Sequence, residues 1–500
     1  MAHYLSDEEL SRTAPAEVAS FASPVPTQIV SNGEFNPLPQ TRDQQRVEAR
    51  IKELADGWGP RHGMDRRQFL ASSAGMAAAF LAMNEVFGSL FDVSAAEAQQ
   101  PGVANRRAGA LSKQFIIDAQ THFVRDDFNQ AGLLDLAKYA KQNWNPSLWG
   151  ENTLARFKFE NYIKEIFVDS DTKVALLSGA PFDDQTWDLL SNDQIAMARA
   201  SINKISGSRR LLAHSVITPK RAGWLDEVDR CIATIKPDSW KGYTIGDPLF
   251  PSKEHSYWRL DDDKLMYPFY EKMTKSGITT ICIHKGLLPA DYEKSWPGVW
   301  EYNTAWDVGK AAKDWPKLNF VIYHSALRPF LEKPDDALAE FDRTGRIQWV
   351  TDLAEIPAKY GVRNVYGEIG TAFANSAVAN PRFAAAFMGT LIRGLGADHV
   401  IWGTDSLWYG SPQWQIEALR RLEIPADMQK KHGFAALGAA DGPVKTQIFA
   451  RNSARLYRLD TKAAQGAITG DKVAAIKAEY TALGGQRSNA RYGYVHRATA

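Results

Sequence analysis

From Leu111 onward the chain alternates short β-branched or apolar runs with longer amphipathic stretches, the pattern of strands and helices taking turns in a parallel sheet. Eight such runs can be read: Phe115–Ala119, Val174–Ser178, Leu211–Val216, Trp240–Thr244, Thr279–His284, Asn319–His324, Asn364–Glu368 and Val400–Asp405. Between them, Asp262–Ser276 and Trp414–Leu422 carry helical spacing. Eight strands with intervening helices predict a (β/α)8 TIM barrel, an architecture of roughly 250 residues before insertions. A doubly wound open sheet is the competing arrangement. It would ordinarily bring a phosphate cradle, yet no GxGxxG follows the first run and no GxxxxGK[ST] occurs in the chain.

The segments outside these runs read differently. Residues 1–63 are rich in Pro, Ser, Gln and Asn and end in a charged helical stretch from Arg42 to about Ala55, which predicts an extended region with no stable fold of its own. There follow Met64-Asp-Arg66-Arg67-Gln-Phe69-Leu70, an uncharged Ala-rich run to Met83, and Ala96-Glu97-Ala98. That order over 64–98 is the pattern of a twin-arginine export signal, predicting use of the twin-arginine translocation machinery, cleavage before Gln99 and a periplasmic or other extracytoplasmic location. The apolar run Phe69–Met83 falls short of the roughly 20 residues that span a bilayer. A retained anchor and an Ala-rich helix buried in a fold are the two other readings. The barrel domain is then 99–460, with Ile448–Tyr457 as a helix packed on it, and 461–500 is a C-terminal helical extension of the surface-clasping or oligomer-forming kind, helical over Lys472–Leu483.

Composition narrows the partners. The chain carries 59 Lys and Arg against 58 Asp and Glu, so no strong field favours nucleic acid or an anionic membrane, and a small-molecule partner is expected. The two cysteines, Cys231 and Cys282, match neither CxxC nor zinc-ribbon spacing and read as free buried thiols.

Polar residues interrupt the predicted strands at their C-terminal ends. His122 lies just past the first, His284 ends the fifth, His324 the sixth and Asp405 the eighth. In a barrel these ends converge on one rim, where active sites sit. Asp118, Gln120 and His122 are spaced by two, so an extended strand would aim all three at the lumen. Imidazole and carboxylate suit a divalent cation, and an incomplete protein shell leaves room for a water whose pKa falls toward ~7, or for a substrate oxygen to be polarised.

Ile117-Asp-Ala-Gln-Thr-His122-Phe, Ile283-His284-Lys-Gly, Tyr323-His324-Ser, Gly403-Thr404-Asp405-Ser and Asn452-Ser-Ala-Arg-Leu-Tyr457 together resemble the amidohydrolase-related TIM-barrel metalloenzymes, over roughly residues 115–460. That family includes amide and lactone hydrolases and non-oxidative decarboxylases of the aminocarboxymuconate-semialdehyde decarboxylase kind. The resemblance implies a metal set of Gln120, His122, His284 and Asp405, with His324 and Asp405 as the catalytic proton-handling pair. Gln120 departs from the family's first-strand H-x-H pair, being a weaker, neutral ligand, although Glu stands at this position in some of the decarboxylases. Lys241, early in the fourth strand, favours one cation over two, and zinc is expected with manganese as the alternative. The implied activity is hydrolysis of a small aromatic or cyclic substrate by a metal-activated water. Decarboxylation of an aromatic or unsaturated acid is the second reading, and a catalytically silent binding barrel the third.

Arg125 and Arg328 are placed to pair with a substrate carboxylate, or equally to form surface salt bridges. Glu368 either reaches the pocket or forms a structural ion pair. His214 and His399 read as structural. Trp144, Trp149, Trp258, Trp296, Trp300, Trp402 and Trp408 fall in or near the rim loops, suiting a planar substrate or ordinary loop packing, and Gly246–His255 reads as a lid-like loop.

Overall fold

The computed structural model describes residues 23–31, 38–125, 157–181, 189–246, 257–288, 292–295, 297–328, 334–485 and 494–495. The lid-like loop beyond Gly246 and the residues Trp144, Trp149 and Trp296 lie outside the described residues.

Eight strands follow one another in chain order: β1 Ile117–Thr121, β2 Val174–Leu177, β3 Leu211–Val216, β4 Ser239–Tyr243, β5 Thr280–His284, β6 Asn319–Tyr323, β7 Val365–Glu368 and β8 Val400–Ile401. Each pairs in parallel with the next. The ring closes through backbone bonds between its first and last members, with Ala119 N donating to Trp402 O (3.0 Å), Asp405 N to Gln120 O (2.9 Å) and His122 N to Ser406 O (2.6 Å). This is the (β/α)8 barrel. Strands buried on both faces need apolar residues at successive positions, which is why continuous short runs marked them in the sequence. Inside, Val174, Leu176, Leu212, Val321 and Ile401 pack with Leu456, the last residue of the helix Asn452–Leu456, and with Tyr457 just after it. Outside, Ile281, Ile283, Phe320 and Ile322 join the core shared with the surrounding helices.

The charged stretch read as helical from Arg42 to about Ala55 is packed into the fold. Arg42–Trp58 is a helix, started by a capping box in which Thr41 and Gln44 exchange side-chain and backbone hydrogen bonds. Its stripe Val47, Ile51 and Leu54 is buried, at the spacing of one helical face, and packs on the helix Ser73–Phe87. The partner that the helix needs is therefore supplied by the same chain. The Ala-rich run itself forms Ser73–Phe87, with Ala77, Ala78, Ala79 and Phe80 buried. Among the described residues no helix is long and apolar enough to cross a membrane.

At the other end, helices Thr461–Thr469 and Lys472–Ala482 dock back onto the barrel. Asp471, between them, takes hydrogen bonds from Arg210 Nε (2.7 Å), Arg210 Nη2 (2.8 Å) and Ser208 Oγ (2.6 Å) just before β3. Val30–Ser31 pairs antiparallel with Tyr494–Val495, bringing the two terminal regions together. Cys231 and Cys282 are free and buried.

Candidate active site

A shift of register in β1, between Asp118 and Thr121, decides which polar side chains meet. An extra residue at a bulge breaks the two-residue alternation of a strand. Asp118 therefore does not join Gln120 and His122 as strict alternation predicted. Its carboxylate instead accepts from Thr404 Oγ1 (2.5 Å) and Thr404 N (3.0 Å), tying β1 to the loop after β8, and burial pushes its pKa up to about 7.

Gln120, His122 and Asp405 come together past this bulge. His122 Nε2 lies 3.0 Å from Asp405 Oδ1, and Gln120 Nε2 donates to the same oxygen at 2.9 Å. The other Asp405 oxygen accepts from Thr371 Oγ1 at 2.6 Å, and the Tyr409 hydroxyl donates in turn to Thr371 (2.9 Å). Burial works to raise the Asp405 pKa, but the His122 contact and the neighbouring His122 and His324 rings outweigh it and hold the carboxyl below its ordinary value. Asp405 is thus an anion at neutral pH.

His324 follows β6 directly. Its Nδ1–H donates to Gly370 O (2.9 Å), which leaves Nε2 of the neutral ring as the basic nitrogen, 3.4 Å from Gln120 Nε2. Backbone strain concentrates here. His324, Ser325 and Ala326 have φ of 60°, 49° and 55°, and Thr371 and Asp405 have 57° and 59°, a left-handed region that costs non-glycine residues energy. Five strained residues around one pocket are what a functional constraint on the loops would produce.

His284 is brought beside His324, with ring centroids 4.7 Å apart, and stacks on Tyr243 at 4.8 Å. Among the described residues no three His, Cys, Asp or Glu side chains converge closely enough to hold a metal ion. Of the four expected ligands, the structure assembles Gln120, His122 and Asp405. The His284 ring packs between Tyr243 and His324, whose Nε2 in turn faces Gln120.

Glu368 closes β7 at this same site, and sequence reasoning left its role open. Its Oε1 accepts from Gly370 N (2.6 Å) and its Oε2 from His324 N (3.1 Å), so it holds the His324 loop and not a Lys or Arg at the surface. A Cβ at Gly403 would collide with its carboxyl, which explains a glycine there. Burial pushes the Glu368 pKa up to about 8, against the two backbone N–H bonds, which pull it down. The folded chain keeps this proton to about pH 8, whereas the unfolded side chain loses it near 4.5. The folded state then binds more protons across that range, and stability falls as pH rises through it. Glu368→Gln, neutral throughout, is expected to gain stability relative to wild type as pH rises from 4.5 to 8. Urea unfolding at several pH values checks this, and a pH-independent difference would show that Glu368 is ionised in the folded protein.

Arg328 is ion-paired with Glu293 and lies over the Trp349 ring (5.6 Å), the salt-bridge alternative considered for it. Arg125 lies on the loop after β1, where its backbone bonds to Leu189 and Lys158. His214 is buried between Tyr323 OH and Ser239 Oγ, both at 2.8 Å, and burial drives its pKa well down, so it is a core histidine. Lys241 is buried with its Nζ 3.6 Å from the Tyr323 ring centre. His399 bonds to Asp398 and to Arg363 O at the start of β8. Trp402 belongs to the core, against Phe373 and Phe449, whereas Trp408 faces His122 (6.0 Å) and Phe157 (5.0 Å). Thr371 and Tyr409 were missed. Thr371 lies three residues past a strand end, in Glu368-Ile-Gly-Thr, which is the one signal that could have flagged it.

In comparison with known proteins, residues 117–459 match the amidohydrolase family model. No curated protein matches. Similar solved structures include an uncharacterized TIM-barrel protein from Bordetella bronchiseptica, 13% identical, with a TM-score of 0.44 over 70% of this chain and 99% of its own. Another is 2,6-dihydroxybenzoate decarboxylase from Rhizobium, 14% identical, with a TM-score of 0.42 over 69% of this chain and 99% of its own. A third, 5-carboxyvanillate decarboxylase from Novosphingobium aromaticivorans with bound manganese, is 14% identical, with a TM-score of 0.42 over 70% of this chain and 98% of its own. The family match spans more than half of the sequence and includes all eight strands, and the chain belongs to the amidohydrolase family.

Proposed function

We propose that the rim pocket hydrolyses a small aromatic or cyclic substrate, with His324 moving the proton and with Gln120, His122 and Asp405 holding one divalent cation. The observation that carries this reading is the contact between His122 and Asp405. His122 Nδ1 faces the Ser178 carbonyl (2.9 Å), which can only accept, so the ring proton is committed there. Without a proton on Nε2, its lone pair would face an anionic oxygen 3.0 Å away. Two such atoms hold that distance only with a proton or a cation between them, and about 3 Å is also the separation of adjacent ligands on a metal with ~2.1 Å bonds.

Gln120 fits the same reading. Its Oε1 is buried without a hydrogen-bond partner among the described residues, and a half-turn of the amide would present that oxygen where Nε2 now meets Asp405. One imidazole and two oxygen donors suit manganese as well as zinc. Bound there, the cation supplies Lewis acidity to an adjacent oxygen. The chain's own groups do the rest: Thr371 and Tyr409 orient Asp405, the Gly370 carbonyl fixes the His324 tautomer so that Nε2 accepts or returns the proton, and Tyr243 and Trp408 offer flat walls. Those aromatic walls also favour the second reading, non-oxidative decarboxylation of an aromatic acid, in which His324 protonates the ring carbon. Arg125, or Arg328 released from Glu293, would pair with a substrate carboxylate. Export by the twin-arginine route is proposed on the Arg66-Arg67 pattern alone.

Elemental analysis of the purified full-length protein tests the cation. We expect near one equivalent of zinc or manganese, lost in His122→Ala and held roughly tenfold more tightly in Gln120→His, where imidazole replaces an amide oxygen. Wild type and Gln120→His both metal-free after reconstitution would sink the metal-dependent reading.

A further inference from the structure

The segment that carries Arg66 and Arg67 is built into the fold, and we infer that residues 64–98 are a permanent structural part of the working protein, not a leader removed after Ala98. The inference rests on packing and ion pairing, independently of the metal reading.

The first observation is the state of the would-be cleavage site. Ala96-Glu97-Ala98 lies within the helix Ala95–Gln99, with Ala98 fully buried and Glu97 4% exposed. Ala96 and Gln99 are exposed, but proteolysis needs backbone that can be drawn out into a peptidase, and the helix with its buried Glu97 and Ala98 opposes that. The second is what Glu97 does. Its oxygens take hydrogen bonds from Arg421 Nη2 (2.6 Å) and Nη1 (3.1 Å), and Arg421 is shared with Glu417 (3.0 Å). Arg421 belongs to the helix Gln413–Arg421, part of the barrel wall that follows the Asp405 loop. Removal of Glu97 would take one of two counter-charges from an arginine whose side chain is 3% exposed.

The backbone adds a third tie. Phe91 bridges antiparallel to Leu422, Asp92 N donates to Arg421 O (2.7 Å), and Glu423 N donates to Leu90 O (2.8 Å). These bonds lock the stretch before the Ala-x-Ala site to the end of the same barrel helix. The fourth is apolar: Phe69, Ala77, Phe80, Met83 and Phe91 are buried in one core with Leu419 and Leu422, and the Phe80 and Phe91 rings are 4.8 Å apart. A membrane anchor would turn such residues outward, and here they face the protein. Arg66 is itself ion-paired with Asp56 at 2.5 Å. Arg67 is exposed, but Phe69 and Leu70 of the same motif are buried, so export machinery that reads the whole motif would have to meet it before this segment docks.

The test uses the full chain with its own N-terminus, produced in a bacterium with a working twin-arginine pathway. Intact-protein mass spectrometry of the soluble, folded product is expected to find residues 64–98 present, in whichever compartment it is recovered. A product starting at Met64 keeps the segment and supports the inference equally. Hydrogen exchange on the same sample is expected to show the amides of Ser73–Phe87 as protected as those of β5 and β6. Soluble, monodisperse protein beginning at Gln99, or exchange of Ser73–Phe87 as fast as in an unfolded peptide, would overturn the inference.

Discussion

Replacing His324 by Asn is expected to lower kcat/KM about 10²–10⁴-fold, the usual contribution of one well-placed general acid or base. The loss should fall on kcat, because the proposed role is proton transfer and not binding. The measurement is turnover of the best substrate found by screening aromatic lactones, amides and carboxylic acids. Asn is the informative replacement because position 324 has φ of 60°, and Asn is among the residues that accept the left-handed region most readily. The loop should therefore keep its shape, and the hydrogen bond from position 324 N to Glu368 Oε2 uses only backbone on that side. An unchanged near-ultraviolet circular dichroism spectrum would show that the pocket survives. A loss smaller than about tenfold would reduce His324 to part of the pocket wall and require another proton carrier.

Why His324 could be singled out before any coordinates bears on what this sequence discloses. A histidine ending a buried apolar strand has no packing reason to be there, and three strand ends carried one while a fourth carried Asp405. The strands were legible for the same reason, since Ile281, Cys282 and Ile283 must be apolar on both faces of a covered sheet. β8 was drawn too long: only Val400 and Ile401 pair, and Trp402–Asp405 bends into the closing loop. Asp118 was misplaced because strict alternation cannot register a bulge. The stacking of His284 on Tyr243 could not be read from sequence order, which says nothing about which neighbour a ring takes. The helix at Arg42 was legible as a helix, but not what covers it; only the fold shows that Arg42–Trp58 and Ser73–Phe87 pack on one another.

The buried charges were the least legible feature, and they set the second large effect. Arg420→Met is expected to destabilise the protein by about 3–5 kcal/mol at pH 7, the cost of removing one member of a buried ion pair. Arg420 is fully buried and donates to Asp171 Oδ2 (2.7 Å), Glu417 Oε1 (2.8 Å), Gln114 Oε1 (2.9 Å) and Leu111 O (2.8 Å). Burial works to raise the Asp171 and Glu417 pKa values, but the charges of Arg420 and its cationic neighbours outweigh it and hold both below their ordinary values. In wild type these two carboxylates therefore contribute stability that is present above their unfolded pKa values of 3.8 and 4.5 and lost as pH falls below them. Without Arg420 the burial penalty acts against less positive charge, the folded pKa values rise, and protonation relieves the folded state. The gap between variant and wild type should then narrow on going from pH 7 to about pH 4.5, measured by urea unfolding at both. Methionine keeps most of the volume, so a gap of the same size at both pH values would assign the loss to packing. A gap that closes would assign it to Asp171 and Glu417 left without their cation, in the helix whose Gln415 also reaches back to Thr404 O beside the active-site aspartate.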